Sequence, residues 1–134
     1  MRRHLLTLLV PIIALYACKP PRSPREAAEV KVRGEWRGTS AAVGMPADTG
    51  KLDWHLIINE GQSGKLDGRG SVTGQGSSRA FELDGLRGEA FITVEFDLEG
   101  TPARYQGSVM DIKTIVGEVF TGQDTFALSL TRVR

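Results

Sequence analysis

Side chains that act as nucleophiles, metal ligands or proton carriers near neutral pH are few in this chain of 134 residues. It holds one cysteine, Cys18, and two histidines, His4 and His55. A zinc site needs three or four such ligands, and His55 alternates with apolar residues in KLDWHLIINE. We therefore expect His55 on a solvated strand face beside Asp53. No Gly-x-Ser-x-Gly motif occurs in the sequence, and no glycine-rich phosphate loop opens a helix.

Two pairs of carboxylates are the remaining candidates for acid/base chemistry: Glu82 with Asp84, and Glu95 with Asp97. Paired carboxylates perform such chemistry when burial raises the pKa of one of them. Both pairs alternate with apolar residues, which places them on the solvated outer faces of strands. We expect no enzyme, no cofactor and no metal site.

The segment before Cys18 has the layout of a secretory signal. Arg2 and Arg3 are followed by an uncharged run, LLTLLVPIIALYA, at residues 5–17. A basic start, a short apolar stretch and a final small residue are typical of a signal peptide. The run is too short for a membrane-spanning helix of about 20 residues. We predict a signal peptide over residues 1–17; the alternative is a core helix, but no later segment is helical enough to pack against it.

The residues Leu15-Tyr16-Ala17-Cys18 resemble the lipobox of bacterial lipoproteins, with an aliphatic residue three before the cysteine and a small residue just before it. The resemblance implies that Cys18 receives a diacylglyceryl group on sulfur, becomes the N-terminus and is acylated there, which anchors the protein to a membrane. It also explains a single cysteine in an exported protein, where cysteines normally pair as disulfides. In Gram-negative bacteria, Lys19 in place of an aspartate implies the outer membrane, facing the periplasm.

The chain after the signal divides into a tether and one domain. Residues 18–29 contain the anchor cysteine and KPPRSPREAAE, which lacks large apolar residues and is predicted to be a disordered tether. Residues 30–134 are enough for one small domain. This domain holds 12 Lys and Arg against 14 Asp and Glu, with no basic face. Nucleic acid is therefore not expected as a partner.

Strict alternation of apolar and polar residues runs through this domain. In KLDWHLIINE, EAFITVEFDL and DTFALSLTRV every second residue is apolar, and glycine-rich turn clusters separate such runs. Eight strands are predicted, near residues 30–38, 52–59, 65–73, 79–84, 89–98, 103–111, 113–120 and 124–133. Because the connections are short, strands that are adjacent in the sequence are expected to be adjacent in the sheet. The prediction is an all-β fold, an eight-stranded antiparallel up-and-down β-barrel.

The segment Gly34-Glu35-Trp36 in the first strand, together with Arg132 in the last, resembles the calycins, the group of lipocalins, avidins and fatty-acid-binding proteins. In that group a tryptophan of the first strand closes one barrel end, and an arginine near the chain end packs over it. The resemblance implies that the first and last strands pair, that Trp36 is buried, and that Arg132 lies within about 6 Å of its ring.

Two features favour binding of a small apolar or amphipathic ligand. The long connection 39–51 carries Val43 and Met45 at the place where lipocalins have a lid, and Trp54 follows it. Several glycines stand at positions that the strand alternation places on the inner face of the barrel. They either widen a cavity or make room for large side chains. Small eight-stranded barrels are either filled or hollow. We expect a cavity above about 300 Å³ if a ligand binds, whereas a solid centre would contradict this function.

The alternative function is an interaction module of the cell envelope, an assembly factor or an inhibitor, without an internal ligand. Three apolar residues are predicted to point outward: Ile57, Phe91 and Phe120. One shared exposed patch would favour a protein partner, and scattered positions would not.

Overall fold

The computed structural model describes residues 24–41, 51–122 and 124–134. Within these ranges a short helix, α1 (Pro24–Glu29), precedes eight strands. The strands are β1 (Gly34–Ala41), β2 (Lys51–Glu60), β3 (Lys65–Gly74), β4 (Ser77–Arg87), β5 (Phe91–Leu98), β6 (Thr101–Asp111), β7 (Thr114–Phe120) and β8 (Thr125–Arg132).

Each strand pairs antiparallel with the next, and β8 pairs with β1, so the sheet closes on itself. The prediction of an eight-stranded up-and-down β-barrel is confirmed. At the seam between β1 and β8, Trp36 is the register partner of Arg132 and Gly38 is that of Leu130. Closure leaves no strand edge open to pairing with another chain.

The alternation seen in the sequence sets the two faces of the wall. Along β2, Leu52, Trp54, Leu56 and Ile58 are buried, while Lys51 and Asp53 are exposed. Strands β5 and β8 follow the same period, with Leu128 and Leu130 almost inaccessible to water. Because successive strand residues point to opposite faces, one face of every strand joins a single core.

Glycines on the inner face make room for large neighbours and do not widen a cavity. A Cβ atom on Gly70 would lie 2.6 Å from Leu56 Cδ2 and 2.6 Å from Phe81 Cε1. A Cβ on Gly107 would lie 2.6 Å from Ile115 Cγ2. Side chains already occupy this space, so the barrel interior around these two glycines is filled.

The two barrel ends differ. The closed end carries the β2–β3, β4–β5 and β6–β7 turns together with residues 30–33 and the last residues of the chain. The mouth carries the β3–β4, β5–β6 and β7–β8 turns. Residues 42–50, which join β1 to β2 at the mouth, lie outside the described residues.

The first strand begins at Gly34 and not at residue 30 as predicted. Gly34 has a φ of +148°, and a Cβ there would lie 2.5 Å from the Arg134 carbonyl oxygen. This backbone departs from the regular strand path, so residues 30–33 lie against the closed end. Val30 and Val32 remain buried, as their parity indicates.

For residues 24–29 of the predicted disordered tether, the structure shows helix α1 instead. Residues 24–29 form a helical turn and a half, because Ala27 is fully buried and its carbonyl accepts a hydrogen bond from Arg87. Tertiary contact therefore stabilises a helix that is too short to form alone. No helix in the described part of the chain is long and apolar enough to cross a membrane. The predicted signal peptide, Cys18 and the rest of the tether lie outside the described residues.

Candidate ligand site at the mouth of the barrel

A cavity of about 280 Å³ opens at the mouth. Its apolar lining comes from the mouth ends of four strands, and four polar residues form its rim. The lining residues are Leu52, Trp54, Val72, Leu98 and Phe126, and the rim residues are Gln75, Arg79, Thr101 and Thr121. The volume falls slightly below the expected 300 Å³, because side chains fill the barrel beneath it.

An aromatic cluster forms the floor of this cavity. The Trp54 ring packs against Phe81, Phe96 and Phe126, with centroid distances of 6.2, 5.9 and 6.1 Å. Phe81 and Phe96 stack at 4.5 Å. Tilted and offset contacts of this kind are the favourable arrangements of aromatic rings. The floor is therefore rigid and apolar.

Trp54 Nε1 donates a hydrogen bond of 2.8 Å to the hydroxyl of Ser40, which is buried. The bond satisfies the polar atom of the indole and fixes the ring plane across the barrel. Trp54 was predicted as a tentative ligand contact, and the structure places it between the cavity and the core. Val43 and Met45, the other two tentative contacts, lie outside the described residues.

Arg79 lies at the rim of the cavity and is not among the ligand contacts predicted from the sequence. It lies on β4 with the same parity as the buried residues Phe81 and Leu83, opposite Val72 on β3. Its side chain therefore points to the inner face at the mouth. The sequence contains a signal for this residue, because an arginine at an inward position of an alternating strand is unusual and indicates a local partner or ligand.

At the closed end the Arg132 guanidinium carbon lies 4.4 Å from the centroid of the Trp36 ring. Arg132 Nε and Nη1 donate to the carbonyls of Ile112 and Arg33 at 2.6 and 2.7 Å. Trp36 is fully buried, and its Nε1 donates to the Val32 carbonyl at 2.9 Å. The predicted contact of this pair is present, and the arginine also holds the segment that lies against the closed end.

A second arginine holds the same segment. Arg87 at the end of β4 donates to the carbonyls of Ala27 and Val30. Its Nη1 lies 3.6 Å from Glu60 Oε1, and that oxygen accepts a hydrogen bond of 2.8 Å from the Val32 amide. The side chains of Arg87 and Glu60 are only 5% and 12% exposed. This ion pair is therefore shielded from water, and loss of one partner would leave a buried charge.

His55 lies on the outer wall, where its Nε2 is 2.6 Å from Glu35 Oε2. Glu35 also lies 3.2 Å from Arg134 Nε. The hydrogen bond with His55, and then the bond and charge of Arg134, lower the pKa of Glu35 below its ordinary value. Within the described ranges no three His, Cys, Asp and Glu side chains are arranged to hold a metal ion.

A shallow groove crosses the outer wall over β5, β6 and β7. Phe91 and Phe120 both line it with Val116, and Gly107 and Gly117 form its bed. Phe91 is 54% exposed. Ile57 is half-buried on β2 and lies outside this groove. Two of the three predicted outward residues therefore share one patch.

No protein-family model matches the sequence, and neither does any curated protein. Solved structures match the fold. A redesigned β-barrel aligns with a TM-score of 0.63 and 10% identity, over 82% of this chain and 96% of that chain. The redesigned barrel mFAP1, solved bound to DFHBI, aligns with a TM-score of 0.62 and 12% identity over 81% and 98%. A de novo designed fluorescence-activating barrel aligns with a TM-score of 0.58 and 12% identity over 80% and 97%. These likenesses show the fold alone, a closed eight-stranded up-and-down β-barrel.

Proposed function

We propose that this chain is a non-catalytic lipoprotein of the bacterial cell envelope whose barrel binds a small apolar or amphipathic ligand at its mouth. The cavity above the Trp54 floor carries this proposal. Its apolar lining gains free energy when a ligand displaces water from it. The likeness to mFAP1 adds that a barrel of this fold has been solved with a small molecule bound.

The size of the cavity limits the ligand. A site of about 280 Å³ lies just below the usual range for ligand pockets, and the filled core prevents deeper entry. The ligand is therefore a compact ring system or the end of a longer molecule whose remainder stays outside the barrel.

The anchor in this proposal is the lipid on Cys18, supported by the signal-like residues 1–17 and the lipobox resemblance. Lys19 supports the outer membrane, with the barrel in the periplasm. The partners are then the membrane, through the acyl chains, and the ligand at the mouth.

Calorimetric titration of 2-naphthamide, a neutral aromatic probe, into the full chain held in phosphatidylcholine nanodiscs tests the binding function. Empty nanodiscs provide the background. Thr101→Trp fills the mouth at an exposed rim position and should weaken binding at least about tenfold, since it occludes the lining. Gln106→Trp changes an exposed residue on the outer face of the same strand and should leave binding unchanged. Absence of saturable binding to the unaltered chain would overturn the proposal.

The groove over β5, β6 and β7 supports a second candidate function, an interaction module that binds an envelope protein. Its exposed Phe91 and Val116 provide apolar area that a partner would cover. Cross-linking followed by pull-down from membranes tests it: Phe91→Ser should abolish capture of a defined partner, and Thr101→Trp should not. Retained capture by Phe91→Ser would contradict a role for the groove.

A further inference from the structure

Among the described residues that line the mouth cavity, Arg79 is the charged one. The remaining rim residues, Gln75, Thr101 and Thr121, are neutral hydrogen-bonding groups. An arginine next to an apolar lining meets less solvent screening than one on an open wall. Its charge is therefore the strongest electrostatic feature of the site.

The guanidinium of Arg79 is incompletely satisfied. Its Nε is shielded from water and has no hydrogen-bond partner within the described part of the chain. Its Nη1 lies 4.0 Å from Glu99 Oε2, the limit of an ion pair. Glu99 belongs to the β5–β6 turn, and its side chain is 68% exposed. A pair of this length at an exposed rim is weak, so a better-placed anion can displace Glu99.

We propose that the ligand of the mouth cavity is an amphipathic anion, with its apolar part on the aromatic floor and a carboxylate or similar oxyanion bound by Arg79. This inference rests on the proposed binding function and specifies its ligand class. Guanidinium groups hold planar oxyanions through two parallel N–H···O bonds. An oxyanion at Arg79 accepts hydrogen bonds from the accessible N–H groups of the guanidinium, for which the protein supplies only the weak pair with Glu99. The neutral rim residues add uncharged donors.

The apolar lining and the arginine complement each other. Binding the apolar body alone leaves the guanidinium poorly satisfied beneath a ligand that excludes water, which is unfavourable. Binding of a free anion alone leaves the apolar floor of the cavity exposed to water. A ligand with both parts meets both requirements, and an amphipathic cation would be repelled.

A matched pair of probes tests this inference: 2-naphthoate, which is anionic, and 2-naphthamide, its neutral counterpart of nearly equal size. Both are titrated by calorimetry into the full chain in phosphatidylcholine nanodiscs. The naphthoate should bind at least about tenfold more tightly, since hydrogen bonds to charged groups contribute more than neutral ones. Arg79→Gln should remove this preference, because it lowers the affinity for 2-naphthoate to about that for 2-naphthamide.

Arg104→Gln is the control, because Arg104 lies on the outer wall, over the ring of Phe120, and its substitution removes the same charge. It should preserve the preference.

Glu99→Gln keeps Arg79 and removes its competitor, so it should tighten 2-naphthoate binding only. This variant also keeps the inference testable if Arg79→Gln does not fold, which circular dichroism reports. Equal affinity for both probes, or equal loss in Arg79→Gln and Arg104→Gln, would overturn the inference while the binding function stands. Failure of both probes to bind would overturn both.

Discussion

Trp36 and Arg132 face each other across the strand seam that closes the barrel, with the guanidinium 4.4 Å from the indole centroid. The tryptophan fills the closed end, and the arginine connects it to the main-chain carbonyls of Ile112 and Arg33, which lie outside the strands. Both side chains therefore act on the same end of the molecule, but through different interactions.

Trp36→Ala should cost about 3–5 kcal/mol, because it leaves a large cavity in a filled core. Arg132→Ala should cost less, about 1.5–3 kcal/mol, through the loss of charged hydrogen bonds to carbonyls. Urea denaturation followed by circular dichroism gives both values. Arg132→Lys keeps the positive charge but loses the planar guanidinium with its fixed set of donors. The free energy of unfolding of this variant should therefore lie between those of the wild type and Arg132→Ala. A larger loss for Arg132→Ala than for Trp36→Ala would contradict this ranking.

Arg87→Met should destabilise the protein by about 3–5 kcal/mol, because it leaves the shielded carboxylate of Glu60 without its cation. Two carbonyls of the segment around α1 lose their donor as well. The double variant Arg87→Met/Glu60→Gln should recover part of the loss, since no unpaired charge remains. Denaturation midpoints measure the coupling, and strict additivity of the two changes would show that the pair is not coupled.

The Glu35–His55 pair makes stability depend on acidity. Because the folded pKa of Glu35 lies below its ordinary value of 4.5, the unfolded chain binds more protons in mild acid. The stabilisation is complete above the unfolded pKa and is lost as the pH falls through the folded one. Urea midpoints between about pH 5 and 3 should decline less steeply in Glu35→Gln than in the wild type. Parallel curves would exclude a contribution from this carboxylate.

Gly70→Ala should cost about 1–3 kcal/mol through overpacking against Leu56 and Phe81. Gly61→Ala is the control, since a Cβ there would have its nearest neighbour at 3.5 Å, an ordinary contact. Thermal unfolding distinguishes them: the first midpoint should drop by several degrees and the second should stay close to the wild type. A tolerated Gly70→Ala would mean that the inner face has more room than its contacts indicate.

Cys18→Ala should release a folded barrel from the lipid anchor. We expect loss of radiolabelled palmitate incorporation and accumulation of the unprocessed precursor, with the ligand site unchanged. Trp36→Ala, in contrast, should still be labelled, because lipidation precedes any requirement for the folded domain. Palmitate incorporation by Cys18→Ala would show that the anchor lies elsewhere.

The strand pattern could be predicted because a barrel wall has a solvent-exposed outer face and a buried inner face. Polar and apolar residues therefore alternate along each strand, and this alternation is visible in the sequence. The apolar period of residues 52–58 is the burial pattern of β2. The contact of Trp36 with Arg132 is what the resemblance to calycins implies, and strand parity agrees with it. Strand limits shifted by a few residues where a glycine, as at Gly34, changes the backbone path.

Two features could not be predicted in the same way. Helix α1 is too short for a recognisable period, and it is held by Arg87, a residue distant in sequence. The inward parity of Arg79 on β4 can be read from the sequence, but the neighbours that surround its side chain at the mouth cannot. Both depend on tertiary contacts, which a local pattern does not contain.

The chain enters the barrel through α1 at the closed end, opposite the cavity. If the proposed lipid on Cys18 holds the chain at a bilayer, a barrel tethered from that side has its mouth directed away from this bilayer. The proposed ligand would then exchange with the aqueous space or with a facing surface. Uptake from the anchoring membrane would require the barrel to turn over on its tether, so the length of the tether would govern the rate of loading.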